Sequence, residues 1–190
     1  MTVDEFAAIL RATMPDSGTR ADAFAPALFN HMPAFAIIGP KRIAAFLGTI
    51  AEESGEFKWT RELWGPTEAQ LRYEPPSEKA AELGNIEPGD GFRFRGRGLI
   101  QITGRANYAE ASKALGIDFV GNSTLMQLPD DAVLTACWWW QAHGCNELAD
   151  VPDFEAVTRR VNGGLTHYDR RKAYYDRALA ALQEKSDAHD

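Results

Sequence analysis

The sequence predicts a mainly α-helical single domain with a small β-hairpin or irregular region. Three observations carry this expectation. Apolar residues recur at helical spacing in most segments of the chain. Strand-like alternation is confined to short stretches near 57–65 and 92–102. The 190 residues, 45% of them hydrophobic, suffice for one sizeable core and contain no repeat or low-complexity linker.

Residues 3–12 read as a short amphipathic helix, and 20–36 as one or two more. Pro40 suits a first helical position, where the missing N–H costs nothing. Ile43, Phe46, Leu47 and Ile50 then keep helical spacing, which predicts a core helix over 40–53 with Gly55 as its stop. Phe57, Trp59 and Trp64 alternate with other residues, so 57–66 is read as a strand or irregular loop. A helical pattern over 67–84 is interrupted by Pro75-Pro76, and NIEPGDG is a turn-rich loop. Further helices are expected over 105–115, 130–142, 153–162 and 168–184. Asp130 is the expected cap of the helix that holds Trp138, Trp139 and Trp140, and those tryptophans are expected to fill the core.

Composition excludes several function classes. A formal net charge of −7 offers no general positive field, so nucleic acid is not an expected partner. The N-terminus MTVDEFAAILRAT carries acids early and has no apolar run with a cleavage site, so no signal peptide is expected. The most apolar stretch, FAPALFNHMPAFAIIG, is broken by Asn30, His31 and two prolines, which argues against a membrane span. Tyr174, Leu179 and Leu182 point to packing, not membrane disruption, as the role of the last helix. Eight residues of straight helix would separate Cys137 and Cys145 by about 12 Å, too far for a disulfide, which only a helix break at His143-Gly144 would allow. With His143 they lack a fourth zinc ligand at a familiar spacing, and no metal site is expected.

The stretch AEESGEF, residues 51–57, holds three glutamates. At about 100° per residue, Phe46, Leu47 and Ile50 fall within about 60° of Ile43 and define a buried stripe. Glu53 falls about 80° from its centre, on the flank, and Glu52 about 180° away, facing solvent. A partly desolvated carboxyl suits a general acid, so Glu53 is the candidate and Glu52 a solvated neighbour. Glu56, beyond Gly55, has no assigned direction. Glycosidic hydrolysis would need a second carboxylate, and Glu62, Glu68, Glu74, Glu78, Glu82, Glu87 and Asp90 all follow. Glu62 could converge with Glu53 only if the chain reverses between them, which Gly55 and the aromatic segment permit.

Residues 89–108 read GDGFRFRGRGLIQITGRANY. In an extended chain Arg93, Arg95 and Arg97 would share one face and could fork onto carboxylates or sugar oxygens. The glycines allow close backbone approach, but nothing here matches a phosphate-binding loop.

FRGRGLIQITGRANY resembles the signature of family 19 glycoside hydrolases. It is especially similar to the phage endolysin and prophage lysozyme branch, which is related to plant-type chitinases. FLGTIAEESGEF resembles the family's helix ending in His-Glu-Ser/Thr, and VTRRVNGGLTHYDRRKAYY its Asn-Gly-Gly segment and closing helix. The three motifs occur in order, and the resemblance runs from about residue 34 to about 182. It implies a single lysozyme-like catalytic domain over 1–190, with no separate wall-binding domain and with its irregular region beside the cleft.

By the same resemblance Glu53 is the general acid, Glu62 in RELW the second catalytic glutamate, and Thr103 a residue that helps hold the attacking water. Gln101, Asn107 and Asn162 fall on the family's sugar-binding positions. Tyr108 and Arg97 complete the motif, and Trp59 and Trp64 are candidate stacking platforms. Glu52 departs from the family, which has histidine before the catalytic glutamate. The implied function is that of a peptidoglycan-degrading endolysin, a muramidase that inverts at the β-1,4 bond between N-acetylmuramic acid and N-acetylglucosamine. It would act as a monomer on glycan strands, without cofactor, metal or stable membrane insertion. It would be made in a bacterial cytoplasm and released to the wall through a holin. A chitinase and a non-catalytic glycan-binding module are the alternatives, and the presence of both glutamates disfavours the latter.

Overall fold

The computed structural model describes residues 1–151 and 153–187. Helix α1 (Val3–Thr13) starts at a capping box: the Thr2 hydroxyl accepts the Glu5 N–H while the Glu5 carboxylate accepts the Thr2 N–H. Helix α2 (Thr19–His31) runs into a 3-10 turn (Met32–Phe35). Helix α3 (Pro40–Ser54) begins with Pro40 at its first position. It closes in a Schellman motif, with the Gly55 N–H bonded to the Glu52 carbonyl and the Glu56 N–H to the Ala51 carbonyl. Three short pieces follow, α4 (Glu68–Leu71), α5 (Glu78–Glu82) and α6 (Asp90–Arg93). Then come α7 (Arg105–Leu115), a second 3-10 turn (Ser123–Gln127), α8 (Pro129–Ala142), α9 (Cys145–Asp150), α10 (Phe154–Asn162) and α11 (Tyr168–Asp187).

Helix α3 is buried nearly all round, as a central helix must be. Helix α11 lies along it, and α1, α9 and α10 also pack on it. The main core gathers Phe6, Leu28, Phe46, Leu47, Ile50 and Trp140. A second, smaller core under the loops holds Phe94, Tyr108, Phe119 and Met126. Helix α8 serves both. Trp140 sits edge-on to Phe46 and donates its indole N–H to Asn146, while Trp138, on the opposite face of the helix, fills the smaller core. Trp139 lies between the two cores and is only partly buried.

The structure meets some of the remaining expectations and departs from others, the cap of α8 above all. The 67–84 pattern yields only α4 and α5, because Pro75-Pro76 and the turn before it break the run. Of the two alternatives for the remaining region the irregular one forms, with no hairpin ladder among the described residues. Arg97 instead makes one isolated antiparallel bridge to Arg61 and another to Ile102. Asp130 lies in the first turn of α8 and pairs with His31; Leu128 and Pro129 occupy the cap and first helical position. Cys137 and Cys145 are buried free thiols, and burial pushes that of Cys145 up to about 12. Among the described residues no helix is long and apolar enough to cross a membrane, and Tyr174, Leu179 and Leu182 of α11 pack on the main core.

A Cβ added at Gly48 would lie 2.9 Å from the Tyr175 backbone nitrogen of α11. Backbone cannot yield as a side-chain tip does. Gly48→Ala is therefore expected to destabilise the fold by about 1–3 kcal/mol through overpacking, read as a fall in Tm of about 2–4 °C per kcal/mol.

Candidate active site

The site begins where α3 ends. Gly55, Glu56 and Phe57 all have positive φ, at 55°, 58° and 66°. This left-handed run turns the chain sharply back. The Phe57 N–H bonds the Ser54 hydroxyl and its ring stacks on Phe24 at 4.7 Å, which anchors the turn in the core. The Trp59 N–H then donates to the Ser54 carbonyl at 2.8 Å. The chain continues through Arg61, bridged to Arg97, to Glu62.

Glu62 is pinned on the glycine-rich segment. Its backbone N–H donates to the Gly96 carbonyl at 2.8 Å, and the Gly96 N–H donates to Glu62 Oε2 at 3.1 Å. Its other carboxylate oxygen accepts from Gln70 Nε2 at 2.9 Å. Gln70 is buried and locked by its own capping box with Thr67. A Cβ at Gly96 would meet Gln101 Oε1 at 2.8 Å and Thr103 Oγ1 at 3.3 Å, so both side chains pack closely on the Gly96 backbone and would have to give way to a larger residue there.

Gln101, Thr103 and Asn107 come together in one pocket of about 250 Å³, whose wall includes Trp139, His143 and Val161. Gln101 holds a positive φ of 56°, a strained conformation for a residue with a side chain. Its amide donates to the Gly98 carbonyl at 3.0 Å and reaches the Trp59 carbonyl at 3.5 Å. The Thr103 hydroxyl donates to the Gln101 carbonyl, and Asn107 to that of Thr103. Trp139 stacks on His143 at 3.8 Å. Asn162, the residue after Val161, is exposed at the end of α10. Trp59 is exposed beside Lys58, whereas Trp64 packs against Phe92 and Tyr73 and is no open platform.

Arg97 and Tyr108, expected among the substrate contacts, are buried. Arg97 donates to the Arg93 carbonyl and the Tyr108 hydroxyl, and that hydroxyl donates to the Arg95 carbonyl. Arg95 in turn holds the carbonyls of Glu62 and Phe92. Burial, with Arg97 and Arg61 nearby, pulls the Arg95 guanidinium below its ordinary value. The three arginines therefore do not share an exposed face. Arg93 belongs to α6, and Arg95 and Arg97 brace the segment from behind.

The acidic stretch is likewise more built than its helix phase predicts. Glu53 is partly exposed, and its Oε1 accepts from Arg171 Nη2 at 2.6 Å. Glu52 is not a solvated neighbour: α11 covers that face of α3. His167 lies 2.9 Å from one of its oxygens and Arg170 3.1 Å from the other. Glu56 is buried, accepting the Tyr174 hydroxyl at 2.8 Å and the Asp16 N–H at 2.7 Å. Burial and this carboxylate push the Tyr174 hydroxyl up to about 12, so it remains a donor. Gln70, Trp139, His143 and Arg171 are the site residues that sequence reasoning missed. Arg171, in the motif-bearing closing helix, and Gln70, in the capping-box pattern Thr67-Glu68-Ala69-Gln70, carried a signal.

The loop before α7 has its own lock. Arg105 forks onto the buried Asp90 carboxylate, which also accepts the N–H groups of Ile86 and Glu87. Burial alone would raise Asp90, but Arg105 and the two N–H donors outweigh it and hold the carboxyl below its ordinary value.

The family model described as chitinase class I, for glycoside hydrolase family 19, matches residues 19–157. A family 19 domain-containing protein of Haemophilus influenzae is 49% identical over 96 residues, covering 50% of this chain and 46% of its own. An endochitinase of Arabidopsis thaliana is 33% identical over 141 residues, covering 74% of this chain and 46% of its own. The chain thus spans about half the length of these curated relatives. Among solved structures, chitinase C of Streptomyces griseus superposes with a TM-score of 0.72 at 24% identity, over 94% of this chain and 77% of that one. A bacterial family 19 chitinase gives 0.68 at 22% identity over 93% of both chains. At these identities the two structures show the shared fold.

A depressed carboxyl adds stability that is present above the ordinary aspartate value and lost as pH falls through the folded one. Removing one partner of such a buried pair costs about 3–5 kcal/mol, so Asp90→Asn is expected to melt well below the wild type at pH 7. The gap should close below about pH 4. Thermal melts across this range measure it.

Proposed function

We propose that this chain, which belongs to glycoside hydrolase family 19, cleaves the β-1,4 bond between N-acetylmuramic acid and N-acetylglucosamine in peptidoglycan, with inversion. The observation that carries the reading is the mounting of Glu62, pinned by Gln70 and by Gly96, the glycine on which Gln101 and Thr103 also pack. Glu53 stands at the end of a rigid helix with one oxygen on Arg171, and no protein group among the described residues bonds the other.

In this mechanism Glu53 delivers its proton to the glycosidic oxygen as the bond to the anomeric carbon breaks. A water attacks that carbon from the opposite face and gives its proton to Glu62. Thr103 helps orient the water. Gln101 and Asn107 offer amide donors and acceptors to hydroxyl or acetamido groups, and Trp59 a ring face to a sugar. The reaction needs no cofactor, and its place of action is the cell wall.

Peptidoglycan is preferred because residues 94–108 resemble the endolysin branch. Chitin is the second reading, favoured by relatives described as endochitinases and chitinases.

Glu53→Gln and Glu62→Gln are each expected to lower turnover of purified peptidoglycan about 100- to 10,000-fold with the fold intact. Mass spectrometry of the wild-type digest should find reducing-end N-acetylmuramic acid, and NMR of fresh product the inverted anomer. Undiminished clearing by either variant would refute the site. Products from chitin alone would transfer the reading to that polymer, and anhydro ends would exclude attack by water.

A further inference from the structure

The proposed mechanism makes no use of Glu52, yet its carboxylate is among the most enclosed charges near the site, only 6% exposed. His167 Nδ1 lies 2.9 Å from its Oε1, and Arg170 Nη2 lies 3.1 Å from its Oε2 as an ion pair without hydrogen-bond alignment. One residue further along each helix, Glu53 meets Arg171. Neighbouring acids of α3 therefore face neighbouring arginines of α11 in two rungs. The rungs share a backbone: the Arg171 N–H donates to the His167 carbonyl at 3.1 Å, and His167 itself holds a positive φ of 56°. A carboxylate here also faces the first turn of α11, where the helix dipole favours negative charge. An exposed ion pair contributes little, but an enclosed carboxylate stripped of its cations is costly.

We propose that Glu52, His167 and Arg170 form a positioning clasp that sets where Arg171 meets Glu53. The proposal rests on Glu53 being the proton donor. With the clasp open the start of α11 shifts, Arg171 loosens, and Glu53 leaves the orientation from which it delivers its proton. Glycan contacts through Gln101, Thr103 and Asn107, on other elements, are untouched.

The test uses the full chain and two readouts. Glu52→Gln and His167→Asn are each expected to lower kcat on peptidoglycan about five- to tenfold with KM within about twofold. The reciprocal variant Glu52→His with His167→Glu should recover most of that loss. The Arg171 side-chain N–H resonance, followed by NMR without substrate, should broaden or shift in the single variants and return in the reciprocal one. An unchanged kcat and an unchanged resonance in Glu52→Gln would overturn the clasp, as would a reciprocal variant no better than His167→Glu alone. If Glu52→Gln fails to fold, Arg170→Gln, at a side chain 63% exposed, carries the same expectation. A wild type that turns over neither peptidoglycan nor chitin would refute the proposed reaction, while the resonance test would still decide the clasp.

Discussion

Gly48 lacks a Cβ, and the space one would fill is taken by the Tyr175 backbone. That close approach lets α11 lie directly on the face of α3 that carries the acidic stretch. From there Arg170 and His167 reach Glu52, Arg171 reaches Glu53, and Tyr174 reaches Glu56. All three glutamates of AEESGEF are thus answered by one helix. A carboxylate leaving water needs hydrogen bonds or a cation in return. A wider helix spacing would leave each of these partners short of its target, so helix packing and site electrostatics are one constraint.

The left-handed run at 55–57 is the second half of that arrangement. Glu56 and Phe57 are not glycines, and a left-handed conformation costs such residues on the order of 1–2 kcal/mol each. The stacking of Phe57 on Phe24 and the hydrogen bonds to Glu56 offset that cost. The gain is direction. On a continuing helix Glu62 would lie about 13.5 Å further along the axis. The turn instead sends it onto Gly96, and Trp59 joins the two halves, bonded through its N–H to Ser54 and through its carbonyl to Gln101.

Much of the fold was legible because local signals were consistent: Pro40 and Gly55 bracket α3 as their chemistry requires, and the apolar spacing of 40–53 names the central helix. Helix phase failed for Glu52 for an equally physical reason. A single helix's stripe identifies one buried face, whereas α3 is packed on several, and the helix covering Glu52 arrives more than a hundred residues later. The alternation at 92–97 misled in the same way. It matches a strand, but the Asp90 lock and Gly89 turn its first part into α6, and burial of Arg95 and Arg97 is a tertiary outcome with no signature in spacing. The Glu62–Gln70 contact depends on a capping box that only the folded loop assembles.

These failures sort the glycine-rich segment into two kinds of residue. Arg95, Arg97 and Tyr108 donate to main-chain carbonyls or to one another, and Asp90 with Arg105 closes the loop in front of them. They are buried or nearly so, where a glycan could not reach them, but where they fix the backbone that carries Glu62 and Gln101. Gln101, Thr103 and Asn107 line the open pocket. The length of the recognisable motif therefore reflects scaffolding more than contact. A carboxylate on a loop that is to act on a substrate, as proposed for Glu62, needs its position set beforehand, and a guanidinium with several fixed donors can tie several carbonyls at once. Arginines at that spacing are what a rigid irregular loop demands, and they do not by themselves mark an anionic ligand.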